Sequence, residues 1–169
     1  MTSDPIIFLI KTLANLYLFV VLLRLILQLT RADFYNPISQ GIVKATNPLV
    51  LPIRKVVPSI SRIDTASVIL ALLVQLGTVA VIFFLSGYNA APAQYFVYTV
   101  MGTIYHLLDL YFWAMLISVI LSWVAPNASH PGALLVQQIT EPLYRVVRGI
   151  VPNLGGLDIS PIFIPFNAL

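Results

Sequence analysis

Charged residues are few in this chain, so those inside apolar stretches carry the most chemical information. Arg24 lies within the apolar run Pro5–Gln28, and Tyr17, Arg24, Gln28 and Arg31 fall on one helical face by steps of seven, four and three. A guanidinium in a hydrocarbon-facing segment is costly unless paired, and such residues often mark a functional site. Arg24 also lies less than two turns from the end of its run, where snorkelling to the interface accounts for it cheaply and is the favoured reading. His106 and Asp109 stand three apart in another apolar run, with Trp113 one turn later. That pair could bind a cation, relay a proton or hold a cofactor. The plainer reading is a hydrogen-bonded helix end beside an aromatic belt residue. Gln75 and Thr78 share a face with Ser67 and Ser86, a spacing that suits helix packing and is compatible with a pore lining. His130 precedes Pro131 and reads more readily as a turn residue than as a ligand.

Asp64 and Asp158 each stand immediately before an apolar stretch. Each has two structural readings. The carboxylate can cap the orphan amides of the following helix, where the dipole favours it. It can instead pair with Arg54 or Arg148 of the same segment and lock a loop to a helix. No catalytic signature accompanies these residues. The chain has no cysteine, which removes disulfides, thiolate metal sites and cysteine nucleophiles. Gly155-Gly156 is a turn rather than a phosphate cradle, since no P-loop lysine follows it. HExxH and GxSxG are absent, and no apolar segment carries two carboxylates. The expectation is a protein that is not an enzyme, has no cofactor and no metal, and does not bind nucleic acid.

The elements that position these residues are written in the composition. Of 169 residues, 59% are hydrophobic and 9% charged, and the mean hydropathy is +0.94. Soluble domains carry about 25% charged residues, so this chain lacks the charge to coat a water-facing surface. Met1-Thr2-Ser3-Asp4 has an acid where a signal peptide would be basic, and Asp4-Pro5 reads as the start of a retained membrane helix. Helices are expected over Pro5–Gln28, Thr65–Leu85 and Val100–Val124. A fourth opens after Asp158, and Ile159–Leu169, with prolines at Pro161 and Pro165, is too short to span, so that helix reads as truncated.

The chain also matches itself at a constant offset of 94 residues. Matched pairs include Leu16/Leu110, Tyr17/Tyr111, Thr46/Thr140, Pro48/Pro142, Arg54/Arg148, Pro58/Pro152 and Asp64/Asp158. Each unit reads as an apolar helix, a proline-punctuated amphipathic segment, and an aspartate opening the next apolar helix. The amphipathic segments read as short pieces, Pro37–Ala45 and Leu49–Val57 in one unit, Pro131–Ile139 and Leu143–Val151 in the other. They suit either the membrane interface, with cations toward anionic headgroups, or a hairpin plugging the mouth of the bundle. Lysine and arginine concentrate in the loops that carry these segments, with Arg31, Lys44, Arg54, Lys55 and Arg62 in Thr30–Asp64 and Arg145 and Arg148 in Ala125–Asp158. The positive-inside rule then places both in the cytoplasm and the N-terminus outside. Two crossings per unit make the repeats parallel rather than inverted. The expected fold class is an all-α membrane protein of two parallel tandem repeats, residues 5–87 and 88–169.

The run Thr140-Glu141-Pro142-Leu143-Tyr144-Arg145-Val146-Val147-Arg148, leading into Val151-Pro152 and Gly155-Gly156-Leu157-Asp158-Ile159-Ser160-Pro161, resembles the repeat of the YggT family. The first unit departs from it: Ser61-Arg62 stands for Gly155-Gly156, Asn47 for Glu141, and Ala66-Ser67 for Ser160-Pro161. The resemblance implies a small multi-pass protein of the bacterial inner membrane. It also implies links to osmotic or potassium stress, to division and nucleoid or thylakoid organisation, and, in plastids, to maturation of a haem-bearing cytochrome. It brings no catalytic residue, only the motif positions Pro48, Arg54, Pro58, Asp64, Glu141, Pro142, Arg148, Pro152, Gly155, Gly156, Asp158 and Pro161. Arg24, Gln75, His106 and Asp109 form a candidate intramembrane polar site.

The functional expectation is a non-enzymatic protein that organises or assists membrane complexes through its cytoplasmic loops. Its partners would be anionic lipid headgroups, other membrane proteins and further copies of itself as a homo-oligomer. The alternative is an oligomeric ion channel or transport subunit. A haem-handling protein using His106 and His130 is a third class.

Overall fold

A computed structural model describes residues 5–58, 63–125 and 129–150, with side chains as far as residue 146. Five helices follow one another: α1 (Pro5–Thr30), α2 (Pro37–Val56), α3 (Thr65–Leu85), α4 (Pro92–Val124) and α5 (Pro131–Ile150). Three of them, α1, α3 and α4, are long and apolar enough to cross a membrane. The chain is therefore all-helical where described, and its composition and spans make it a membrane protein. The expected readings of Asp4, Arg62, Arg148, Pro152, Gly155, Gly156, Asp158, Pro161 and the fourth span concern positions outside the described residues or side chains.

The ends of the helices follow local chemistry. Helix α1 closes with Arg31 in the left-handed region at φ 55°, its N–H donating to Gln28 O at 3.3 Å while Ala32 N–H reaches Leu27 O at 2.9 Å. That is a Schellman ending with arginine where glycine is usual. Arg31→Gly should therefore stabilise the protein by about 0.5 kcal/mol, read as a higher melting temperature in detergent. Gly87, at φ 65°, closes α3 in the same way, with Tyr88 N–H on Phe83 O at 3.0 Å. The α3–α4 turn is packed by aromatic rings: Phe83 lies 5.0 Å from Tyr88, 5.3 Å from Tyr95 and 5.5 Å from Tyr98 between centroids. Helix α4 starts at Pro92 rather than at Val100. Pro92 opens the helix and the Gln94 side chain accepts from Ala91 N–H at 2.8 Å, so polar composition did not stop the helix there. At 33 residues it is about 50 Å long.

The proline-punctuated segments each form one continuous 20-residue helix, not two short pieces. Pro48 and Pro52 lie inside α2, and Pro142 inside α5. Each proline removes one backbone bond and crowds one carbonyl, a local loss that the side-chain contacts of these helices offset. The two begin and end 94 residues apart at both termini. Their starts share one device. Ile38 N–H donates to Asn36 Oδ1 at 2.9 Å, and Gly132 N–H donates to His130 Nδ1 at 3.2 Å. His130 thus caps α5 as Asn36 caps α2. Asn36 Nδ2 also donates to Pro131 O at 2.7 Å, and Asp33 N–H to Gln138 Oε1 at 2.9 Å, which ties the two starts together.

Helix α3 packs on α1, α2 and α4, while α5 packs chiefly on α4. The shared core is Leu18, Val21, Leu22, Leu25 and Ile26 of α1, with Leu70 and Ala71 of α3, Leu110 and Ala114 of α4, and Ile42, Val50, Leu135 and Ile139 from α2 and α5. It sits toward the end of the bundle that carries α2 and α5. The first turns of α1 expose Ile6, Phe8, Leu9 and Leu13, and most of α4 is similarly exposed, as lipid-facing surface requires.

Candidate functional site: a buried arginine–carboxylate cluster

Three charges meet where α1, α2 and α3 converge. Arg24 belongs to α1, Arg54 to α2, and Asp64 immediately precedes α3. Asp64 is fully buried and Arg24 is 6% exposed, whereas Arg54 is 36% exposed and marks the outer edge of the cluster. Asp64 Oδ2 accepts from Arg54 Nη2 and from Ser67 Oγ at 2.7 Å, and Arg24 Nε lies 3.5 Å from the same oxygen. The other face of Arg24 is held by α2. Its Nη1 donates to Thr46 Oγ1 at 2.7 Å, Asn47 Oδ1 at 2.8 Å and Val43 O at 3.3 Å.

Arg24 therefore points into the protein and does not snorkel. A guanidinium near the end of an apolar helix can reach headgroups only if nothing nearer satisfies it. Here four polar partners lie within reach, and the planar, multi-donor head suits them better than a lysine would. The turn it grips, Val43–Asn47, immediately precedes Pro48, so the bonds brace the part of α2 that the proline weakens. Asp64 does not cap α3 with its side chain; no such cap bond forms, and the carboxylate is turned to the two arginines and Ser67. Pro58 follows the end of α2 at Val56, and its carbonyl accepts from Thr65 Oγ1 at 2.8 Å. Pro58, Asp64 and Thr65 together form the corner between α2 and α3.

Two guanidinium groups face one carboxylate, so the cluster holds one excess positive charge in a largely dry place. Asp64 Oδ1, Arg54 Nε and the Tyr17 hydroxyl are buried without a protein partner. Thr46 is the neutral hinge of the arrangement: fully buried, it accepts from Arg24 and donates to Ile42 O at 2.7 Å. Thr46→Val keeps the shape and removes the acceptor. It should cost about 1–3 kcal/mol in a detergent unfolding titration, because Arg24 loses its shortest bond in a buried place.

In the second unit Ser118 stands at the position of Arg24, so the described part of that unit has no guanidinium there. Thr140, also fully buried, donates to Ser118 Oγ at 3.4 Å, where Ser118 stands 94 residues after Arg24. Glu141, which stands where the first unit has Asn47, is half-exposed, with Arg145 at 3.9 Å on the next turn. Such an exposed pair is weak. Pro142 lies within α5.

The remaining candidates do not join this cluster. Gln75 is buried between α3 and α4 beside Gly102, where a Cβ would collide with its amide, and its Oε1 has no partner. Thr99, one turn before Gly102, also has a buried hydroxyl without a partner. His106 is half-buried and Asp109 exposed on α4. Among the described residues no three histidines, cysteines or carboxylates converge in a way that could hold a metal ion. The partners Thr46, Asn47 and Ser67 escaped the sequence reading. One signal pointed to Asn47: the unit with Arg24 has Asn47 and the unit with Ser118 has Glu141, so the charge pattern changes together at two positions that touch in the first unit.

What the cluster can do chemically is hold. Its carboxylate and guanidinium groups are engaged with each other, and they fasten an amphipathic helix to two spans. The molecule is thus a helical membrane protein with an amphipathic layer pinned to one end of its spans. The chain matches the CCB3/YggT family over residues 3–85 and 97–166 and belongs to that family. An uncharacterized protein of Pseudomonas aeruginosa is 51% identical over 159 residues, 93% of this chain and 81% of that one. An uncharacterized protein from the proC 3' region of Vibrio alginolyticus is 42% identical over 159 residues, 93% of this chain and 85% of that one. The uncharacterized YggT of Escherichia coli K12 is 35% identical over 157 residues, 93% of this chain and 81% of that one. No solved structure matches the chain.

Proposed function

We propose that this protein is a multi-pass scaffold of the bacterial inner membrane, built from two parallel repeats, which organises other membrane complexes through α2 and α5. The observation that carries this reading is the pinning of α2. The Arg24–Asp64–Arg54 cluster fixes the helix to the spans, yet α2 leaves Leu49, Leu51 and Val56 exposed beside Lys44 and Lys55. Helix α5, joined to the start of α2 through Asn36, exposes Leu134, Val146 and Arg145. A rigid amphipathic layer of this kind suits the headgroup region, where its cations favour anionic lipid and its apolar side chains enter the acyl boundary. The positive-inside rule puts that layer in the cytoplasm and the N-terminus outside. The role in the cell would be assembly support under osmotic or potassium stress, in division or in maturation of a cofactor protein, with no chemistry of its own.

The test is a mild-detergent purification of the intact protein and of Lys44→Glu/Lys55→Glu/Arg145→Glu. These cations lie outside the buried cluster, so the fold should survive, as a detergent melting curve checks. The variant should lose copurifying membrane complexes and fail to replace the native protein in stressed cells. A variant that folds, keeps its partners and complements would refute the scaffold reading. Potassium flux through liposomes holding the purified protein would instead favour a conducting subunit.

A further inference from the structure

Asp109 sits in an energetically awkward place. It is 17 residues from the start of α4 and 15 from its end. A hydrocarbon slab of about 30 Å laid anywhere along this helix of about 50 Å contains it. It is nevertheless exposed, among the outward rings of Tyr105 and Phe112 and beside Leu116. Among the described residues it forms no ion pair. A carboxylate facing lipid at that depth is costly and calls for a partner. Lys11, exposed near the start of α1, is the complementary charge, and it too is unpaired within the described chain. Both lie near enough to His106 to act on its imidazole, yet they form no ion pair with each other.

We infer that two copies of this chain dock through the outward face of α4, with Asp109 of each copy paired to Lys11 of the other. A twofold axis passing near His106 forms both pairs at once, as a self-complementary interface demands. The same contact buries the apolar rings of Tyr105 and Phe112 and removes an isolated charge from lipid. The occupant is a second copy because the chain itself presents both halves of the pair. The inference is independent of the scaffold reading, since it involves no residue of α2, α5 or the buried cluster.

The test uses the full chain in native membranes. Tyr105→Cys supplies a unique reporter, because the sequence has no other cysteine. Oxidation should yield a crosslinked species of twice the chain's mass. Asp109→Lys alone and Lys11→Asp alone should each lower that yield about tenfold, since every homotypic contact then sets like charges together. Co-expressing the two charge variants with different tags should restore crosslinking between tags and not within either. Yields unchanged by both substitutions would overturn the pairing, as would two losses with no recovery in the mixture. Crosslinking only to a different protein would overturn it as well.

Discussion

Asp64→Ala should be the most damaging single substitution in the described chain, costing about 3–5 kcal/mol of stability. The carboxylate is fully buried and is the shared acceptor for Arg54, Ser67 and Arg24. Without it, two guanidinium groups repel each other across a dry junction, and Arg24 has no route to water through the surrounding core. The corner between α2 and α3 should open, and α2 should lose its fixed register on the spans. Arg24→Met should cost less than Asp64→Ala, because Arg54 still neutralises Asp64. The double variant should fall well short of the sum of the two, since removing both partners leaves no stranded charge between them. Unfolding in detergent measures all three. An Asp64→Ala protein within 1 kcal/mol of the native one would show that the cluster does not hold the fold.

The second large effect is expected at Gly102. The Gln75 side chain of α3 fills the space that Gly102 of α4 leaves by lacking a Cβ. Gly102→Leu should displace the buried Gln75 side chain and overpack the α3–α4 contact, at a cost of about 1–3 kcal/mol. Shortening the glutamine should restore part of the loss, so Gly102→Leu/Gln75→Ala should be more stable than Gly102→Leu alone. Substitution at Gly77, which has nothing within 4 Å of its would-be Cβ, should be tolerated and serves as the control. Equal melting temperatures for Gly102→Leu and the native protein would rule out the close approach.

The spans were legible because hydrocarbon demands long uninterrupted apolar runs, and Thr65–Leu85 was expected at the limits it has. The start of α4 was not, since Pro92 and Gln94 are as compatible with a loop as with a helix cap. The prolines of α2 and α5 suggested breaks because propensity considers one helix alone, while tertiary contacts around Thr46 and Arg24 override it. Arg24 shows the limit most clearly. Its position in an apolar run was plain, and so was the chance of pairing between Arg54 and Asp64. Whether Arg24 turned out to headgroups or inward depended on Thr46, Asn47 and Asp64, residues 22 to 40 positions away whose meeting is set by how α2 folds back on α1 and α3.

Periodicity and composition are local properties, and they establish where helices run and that the chain lives in a membrane. Partners for a buried charge are a property of three packed helices. They arise from distances that no single helix contains, so only the folded bundle turned a lone arginine into the clamp that holds the amphipathic layer to the spans.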